Sequence, residues 1–400
     1  MIDNTPEEQP VDELDQTEQI LSEPTPEELA LEEEAATKKA LCRVVGTKHP
    51  NIERFRLFLM FCACIKMFGA PTWIGSYLQT ICGFAPIAFF VLSGFLVLSD
   101  PEKRRKRIAR AIGRTALVFV LLVIFYTAVN LWLYFSMGVN VLPALSSKRL
   151  WFNFVVLNVW PFEIGDAIWY VQALLYTYII LFFLDLTKLL RFDWLICILL
   201  LGFAIATGEL NGIVKFSFFG YNAFPSNFLN RALPYVLLGG ILARNVHVWT
   251  FRFPAVYFVG AVLGVGMIIG EPLLLNRLGV PGYYGHLVGM GVVAVCSVVL
   301  LFQDVVQRDM DDYENAEVFE FPMSRWNINF IYYLYQPAAT LLAFGVVQFG
   351  GEFFSTASEY IGLATFAILL FFTFLVGYIR FSVTARRIEA MQILEEEDIL

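Results

Sequence analysis

Residues 112–136 read IGRTALVFVLLVIFYTAVNLWLYFS, and this stretch decides the class of fold. Crossing the roughly 30 Å of hydrocarbon in a bilayer takes about 20 helical residues, which this stretch supplies. Similar stretches recur along the 400 residues, of which 58% are hydrophobic and only 16% are charged. A soluble domain carries roughly 25% charged residues. The sequence therefore predicts an all-α, polytopic integral membrane protein.

The apolar stretches predict about ten transmembrane helices. Because Lys and Arg are enriched in cytoplasmic loops, their positions predict orientation. With the N-terminus inside, 22 of the 28 Lys and Arg residues fall on the cytoplasmic side and four on the opposite side. This distribution predicts an even number of spans, both termini in the cytoplasm and a location in the cell membrane. The predicted spans are 55–70, 79–98, 112–136, 167–187, 193–208, 227–243, 253–271, 284–303, 327–348 and 358–379.

The charge pattern divides the chain into three regions. Residues 1–50 form an acidic tail, predicted to be largely disordered and cytoplasmic, that ends in a basic stretch. Residues 51–380 form the membrane domain, and residues 381–400 a short cytoplasmic tail. The acidic, proline-containing N-terminus does not resemble a cleavable signal peptide. Clustered acids in the tails and in one loop are typical of solvated segments, and nothing in the sequence indicates binding to nucleic acid.

Cysteines and aromatic residues add two expectations. The six cysteines lie mostly in apolar stretches without metal-ligand spacing, so we predict neither a metal site nor a disulfide framework. The longest outward loop, residues 138–166, contains Trp151, Phe152, Trp160 and Phe162. Aromatic residues at that position favour a re-entrant segment or one that lies in the membrane interface.

Ionisable residues inside predicted spans are candidates for function, because charge in a bilayer is costly unless it faces a cavity or a partner. Lys66 either extends to the outer headgroups or lines an outward-facing polar cavity. Arg231 shares a helix side with Asn227 and Asn230, which indicates a lined cavity or interhelical hydrogen bonds. His286 is the one histidine expected near a membrane cavity, with a structural role as the alternative.

The basic run from Lys103 to Arg114 has two interpretations. It either anchors the chain against anionic lipids or forms a phosphate site. In the second case Arg107, Arg110 and Arg114, which share one helical face, would grip a polyanion such as a nucleotide-bearing cofactor.

Six short segments, in this order along the chain, resemble the acyltransferase-3 family of membrane proteins, which move acyl groups onto envelope glycans. The most specific of them surrounds Ser93-Gly94 and is similar to the family's second-span signature. The resemblance covers residues 51 to 380 and implies ten spans with both ends inside. The segments are Ile52–Arg56, Phe89–Leu96, Arg107–Arg110, Ile168–Leu174, Leu237–Gly239 and Ile331–Pro337.

The chain departs from the family where the family carries histidines. The first-span histidine, thought to act as the base, corresponds to Met67, with Lys66 beside it. The two others correspond to Ala167 and Tyr335. Acyl transfer to a hydroxyl needs a base with a pKa near neutrality. Methionine cannot serve, and lysine serves only if desolvation lowers its pKa.

The resemblance implies a membrane O-acyltransferase that moves an acyl group, acetyl in particular, from acyl-CoA to a cell-envelope carbohydrate or a lipid-linked sugar. Acyl-CoA would be a co-substrate, its phosphates held by Arg107 and Arg110, with no permanently bound cofactor. Arg56 would organise the base of the first helix. The acceptor would lie near Lys66, Ser93, Arg231, Tyr335 and His286, with Lys66 or His286 as the replacement base.

Two other functions stay open at this point. The missing histidines favour a catalytically degenerate member that transports or flips a glycan or a lipid-linked precursor. Composition alone supports a structural membrane partner that docks through its acidic tails.

Overall fold

The computed structural model describes residues 25–32, 35–36, 50–68, 75–137, 146–161, 164–165, 167–208, 210, 228–250, 252–280, 288–307, 325–350 and 360–397, and every regular element among them is helical. A 3-10 turn, Leu189–Phe192, precedes the helix that begins at Asp193, and a π-helical turn, Phe228–Ala232, precedes the helix that begins at Leu233. The helices are α1 (Pro50–Phe68), α2 (Gly75–Ile81), α3 (Phe84–Leu98), α4 (Arg104–Met137), α5 (Lys148–Leu157), α6 (Ala167–Leu186), α7 (Asp193–Thr207), α8 (Leu233–Arg244), α9 (Val246–Thr250), α10 (Pro254–Arg277), α11 (Val288–Gln307), α12 (Arg325–Gly350) and α13 (Ile361–Glu397).

Six segments of the described helices are long and apolar enough to cross a membrane, which confirms the prediction of membrane-spanning helices. A further apolar segment, Val288–Asp304, is shorter. A described helix overlaps each of the ten predicted spans, but the number of spans and the orientation of the termini remain predictions. The six segments are Tyr77–Leu98, Arg104–Ser136, Ala167–Leu186, Leu189–Thr207, Pro254–Arg277 and Ile361–Ile379.

Helices α3 and α8 pack backbone to backbone because glycines face each other's helix. A Cβ on Gly94 would lie 2.7 Å from the carbonyl carbon of Val236, and one on Gly239 would lie 2.8 Å from the Phe95 nitrogen. Small residues permit such close approach between helices in lipid, where van der Waals packing replaces the hydrophobic effect as the driving force. The resulting contact fixes α3 in the middle of the bundle, with Phe90 and Phe95 fully buried.

Polar contacts tie several helix ends together on one side of the bundle. Arg104 Nε donates to Asp185 Oδ1 at 2.8 Å, which joins the start of α4 to the end of α6. Asn51 Nδ2 donates to Asp304 Oδ2 at 2.7 Å, which joins the start of α1 to the end of α11. Asp193 and Arg244 join the start of α7 to the end of α8. We call this side the basic face; that it faces the cytoplasm remains a prediction.

The aromatic loop after α4 contains the short helix α5 rather than a long span. Ser147 caps its start through a bond from the Leu150 nitrogen, and Asn158 ends it in the left-handed region at φ 64°. One side of α5 is buried through Asn153 and Phe154, whereas Phe152 on the other side is 47% exposed. An amphipathic helix of this kind agrees with the interface-lying alternative for the loop; Phe162 lies outside the described residues.

The tails are described only in part. Residues 26–32 are helical, and Thr25 and Glu28 form a capping box: the Thr25 nitrogen donates to Glu28 Oε2 at 2.8 Å and the Glu28 nitrogen to Thr25 Oγ1 at 3.3 Å. The predicted disorder of residues 1–24 concerns positions outside the described residues. At the other end, α13 continues as helix through most of the predicted tail, to Glu397.

Candidate functional site

The start of α1 contributes a buried ion pair on the basic-face half of the bundle. Arg56 Nη1 donates to Glu53 Oε1 at 2.9 Å, with side chains only 13% and 7% exposed. The i, i+3 spacing places both groups on one side of the helix. The Arg56 guanidinium also lies close enough to the phenols of Tyr170 and Tyr178 on α6 to act on them electrostatically.

Ser93 on α3 lies between those two phenols. Its hydroxyl lies close to the phenols of both Tyr170 and Tyr178. The Tyr170 ring stacks on Phe90, with ring centroids 4.6 Å apart. We call Glu53, Arg56, Ser93, Tyr170 and Tyr178 the arginine–tyrosine cluster, because three helices supply its polar groups.

Arg231 lies beside this cluster. It is only 3% exposed, on the π-helical turn before α8, and its Cζ lies 5.9 Å from the ring centroid of Trp169. Trp169 precedes Tyr170 on α6 and packs against Phe90 at 6.1 Å between ring centroids. A guanidinium over an indole face is a favourable cation–π arrangement, and π-helical turns are frequent at functional sites.

The structure therefore brings Arg56 and Ser93, two of the residues that the sequence singled out, to the same pair of tyrosines, and it places Arg231 over the neighbouring Trp169. It also adds Glu53 and Tyr178, which sequence reasoning missed. Tyr178 follows Tyr170 by eight residues, a spacing that returns to nearly the same helix side and was the available signal. Glu53 gave no signal beyond its position three residues before Arg56.

Lys66 and Tyr335 form a second grouping toward the opposite end of α1. Ten residues separate Lys66 from Arg56, which is about 15 Å of helix. Lys66 is partly exposed, and its backbone carbonyl accepts from Gln79 Nε2 at 2.8 Å. Cys64 and Ile65, just before Lys66, line a cavity of about 10 Å³ together with Tyr335. That volume admits about one water molecule.

Tyr335 makes a structural hydrogen bond. Its hydroxyl donates to the Gly362 carbonyl at 3.1 Å, and the residue is 1% exposed. This bond joins α12 to the start of α13. The neighbouring Gln336 accepts from the Gly165 nitrogen at 2.9 Å and so ties α12 to the turn before α6.

His286 lies outside the described residues, so its predicted role as a base stays a prediction. Along the chain, the next described element is α11, which begins two residues after His286. There the Gly289 nitrogen donates to the Glu271 carboxylate on α10 at 3.0 Å. A carboxylate at a helix N-terminus satisfies an otherwise unpaired backbone donor and complements the helix dipole.

The side chains of Arg107 and Arg110, at the start of α4, have different surroundings. Arg107 Nη1 donates to Ser99 Oγ at 2.8 Å, and its Nη2 lies 3.4 Å from Asp100 Oδ2. Arg107 thus binds the end of α3, whereas Arg110 is exposed. Their assignment as phosphate ligands stays a prediction. Within the described residues, no group of three or more His, Cys, Asp or Glu side chains could hold a metal ion.

The architecture defines the class of the chain: a membrane protein whose regular elements are all helical within the described residues, with a partly buried polar cluster between three of its helices. The chain matches no known protein family, no curated protein and no solved structure.

Proposed function

We propose that the protein is a membrane O-acyltransferase that moves an acyl group, acetyl in particular, from acyl-CoA to a hydroxyl of a cell-envelope carbohydrate. One observation carries the proposal. Three segments that resemble the acyltransferase-3 family, far apart in sequence, contribute Arg56, Ser93 and Tyr170, all partly buried, to the same cluster. Packing alone does not require polar residues from three such segments to converge in an apolar interior.

The two groupings along α1 fit a reaction whose substrates enter from opposite sides. Acyl-CoA approaches the basic face, from which the arginine–tyrosine cluster extends inward. Glu53 and Arg56 lie near this face, whereas Tyr170 lies about 22 Å along α6 from Asp185. The acceptor approaches the end of α1 that carries Lys66, beside Tyr335. The roughly 15 Å between the groupings is shorter than the bilayer core, so an extended acyl donor has to bridge only part of the membrane.

The chemistry needs a proton acceptor near the acceptor hydroxyl. The hydroxyl oxygen attacks the thioester carbonyl while its proton passes to the base; the C–S bond then breaks and the CoA sulfur takes up a proton. Neutral Lys66 or neutral His286 would serve as this base. Tyr335, whose hydroxyl already donates to Gly362, would position the acceptor side rather than take the proton.

The resemblance assigns CoA phosphates to the start of α4. In the proposal Arg107 is the phosphate ligand, because it lies at the junction of α3 and α4. Its guanidinium is 3.4 Å from the Asp100 carboxylate, and a phosphate oxygen would replace this contact. Arg110 faces away from this junction, and the proposal does not depend on it.

The test is acyl transfer from labelled acyl-CoA to envelope glycans, in membranes that contain the wild type, Lys66→Ala or His286→Ala. Loss of labelling in one variant identifies the base and supports an enzyme. Lys148→Ala and His247→Ala are matched controls that remove the same side chains elsewhere, and both should keep the wild-type rate. No labelling in any sample, with folded protein and several donors and acceptors, would contradict acyl transfer.

The alternative is a catalytically degenerate protein that transports or flips a glycan or a lipid-linked precursor. The specific observation in its favour is that the three histidine positions hold Met67, Ala167 and Tyr335, of which Ala167 and Tyr335 are buried. This function predicts glycan or lipid movement across reconstituted vesicles without acyl transfer.

A further inference from the structure

The basic run at the start of α4 separates into two sets of cations. The first set is used inside the bundle. Arg104 and Arg105 bind the Asp185 carboxylate, at 2.8 Å and 3.0 Å respectively, and Arg107 binds Ser99. Asp185 is 7% exposed, so these bonds fix the joint between α4 and α6. This set has an intramolecular role.

The second set is Lys106, Arg110 and Arg114. All three are exposed, and they follow one another at a spacing of four residues, about one helical turn. Within the described part of the chain none of them takes part in an ion pair. We call these three residues the cation column.

The cation column continues a face of α4 that is exposed along the apolar part of the helix. Leu117, Leu121 and Ile124 lie next on this face, and they are 59%, 57% and 62% exposed. Further along, Trp132 and Phe135 are 47% and 80% exposed. In a membrane, an exposed apolar face of a long helix is covered by lipid chains. The cation column therefore extends a lipid-facing stripe, not a cavity in the protein.

The height of the column along the helix matches the headgroup layer. The apolar part of α4 begins directly after Arg114, so Arg114 marks the edge of the hydrocarbon. Arg110 lies about 6 Å and Lys106 about 12 Å further out along the axis. The headgroup region on each side of a bilayer is roughly 5–8 Å thick, so the backbones of Arg114 and Arg110 lie within it. The Lys106 backbone lies about 4–7 Å beyond it, and its long side chain reaches back to the outer edge.

We infer that the cation column is a binding site for the headgroup of an anionic phospholipid in the leaflet at the basic face. The lipid phosphate lies between Arg110 and Arg114, whose planar guanidinium groups bind phosphate oxygens bidentately. Lys106 contributes a point charge at the outer edge. The lipid chains pack along Leu117 and Leu121. Arg110 is thereby a lipid ligand, a role independent of acyl transfer.

The test uses the purified full chain in micelles of equal parts phosphatidylglycerol and phosphatidylcholine, with the retained lipids counted by native mass spectrometry. The wild type should retain phosphatidylglycerol preferentially. The variant K106Q/R110Q/R114Q should lower this preference by at least about tenfold, because each cation near the surface contributes roughly fivefold. The variant R110K/R114K keeps the charge but loses the bidentate geometry, so its preference should fall between that of the wild type and that of the glutamine variant.

The matched control is K148Q/R149Q/R277Q, which removes three exposed cations from the opposite side of the bundle. It should retain the wild-type preference. The three column side chains make no described contacts, so the glutamine variant should keep the wild-type melting temperature and give a valid comparison. An equal fall in both triple variants would show that only net charge matters and would overturn the proposal. A second result would also overturn the proposal. In it, the wild type shows no preference for phosphatidylglycerol, but the protein without residues 1–36 does. The acidic tail, not a lipid, would then occupy the cation column.

Discussion

Gly94 on α3 and Val236 on α8 are in direct backbone contact: a methyl group on the glycine would overlap the Val236 carbonyl. The contact is between two backbones, so no side-chain rotation relieves the overlap. The two helices can keep this distance only while position 94 has no side chain.

Gly94→Ala should therefore destabilise the protein by roughly 1–3 kcal/mol, the usual range for overpacking. The measurement is thermal unfolding in detergent followed by tryptophan fluorescence. Gly202→Ala is the control, because no atom lies within 4 Å of the Cβ it would add. The control should be neutral or stabilising by up to about 1 kcal/mol, since alanine favours a helix over glycine. Equal melting temperatures for the two variants would contradict the backbone contact.

Asp185→Asn should loosen the joint between α4 and α6, because Arg104 loses its charged acceptor in a place where water reaches it poorly. The Arg104 side chain is 23% exposed and the Asp185 side chain 6%. The Arg105 side chain is 59% exposed, so its ion pair with Asp185 adds little. We expect a loss of about 1–3 kcal/mol, measured by thermal unfolding. Glu102→Gln, an exposed carboxylate in the same run, should leave stability unchanged. A stable Asp185→Asn protein would mean that the pair adds nothing to the fold.

Tyr170→Phe should lower the rate of acyl transfer by about tenfold while the protein stays folded. The change removes the hydroxyl that Ser93 reaches but keeps the ring stacked on Phe90. A lost polar contact of about 1–2 kcal/mol corresponds to a change of about 5- to 30-fold, a range that includes this size. The measurement is the initial rate with labelled acyl-CoA, beside Tyr134→Phe on α4 as the matched control. An unchanged rate for Tyr170→Phe would separate the arginine–tyrosine cluster from the reaction.

Glu271→Ala should weaken the start of α11, because the Gly289 nitrogen then has no carboxylate acceptor. Loss of a helix cap costs about 0.5–2 kcal/mol. Glu271→Gln keeps an oxygen acceptor and should lose less than half as much. Thermal unfolding of the three proteins gives the comparison, and a larger loss in the glutamine variant would speak against a capping role.

The positions of the helices were predictable because a bilayer imposes long apolar segments. Residues 112–136 lie within a described helix that is long and apolar enough to span a membrane, and all but the last residue of the predicted span 167–187 form another. Helical spacing also predicted that Arg231 shares one side of its helix with Asn227 and Asn230. The placement of Arg231 over Trp169 was not predictable, because it depends on the packing of α6 against the π-helical turn.

The candidate site was predictable only in part. Arg56 and Ser93 stood out through the resemblance, but their link through Tyr170 and Tyr178 arises from the packing of three helices. Arg107 illustrates the opposite case. Its basic neighbours predicted a phosphate ligand, yet its guanidinium binds Ser99 at the end of α3, a contact that no local pattern specifies.

The long final helix has an electrostatic consequence. Beyond its apolar segment Ile361–Ile379, α13 continues to Glu397, which is about 27 Å of additional helix. Its acidic end, Glu395 to Glu397, thus stands about 24 Å along the axis from Ile379. The Debye length at physiological salt is about 8 Å. Salt therefore screens the acidic end of α13 from the lipid surface almost completely, so this end offsets the cations at the start of α4 very little although it adds to the chain's net charge of -8.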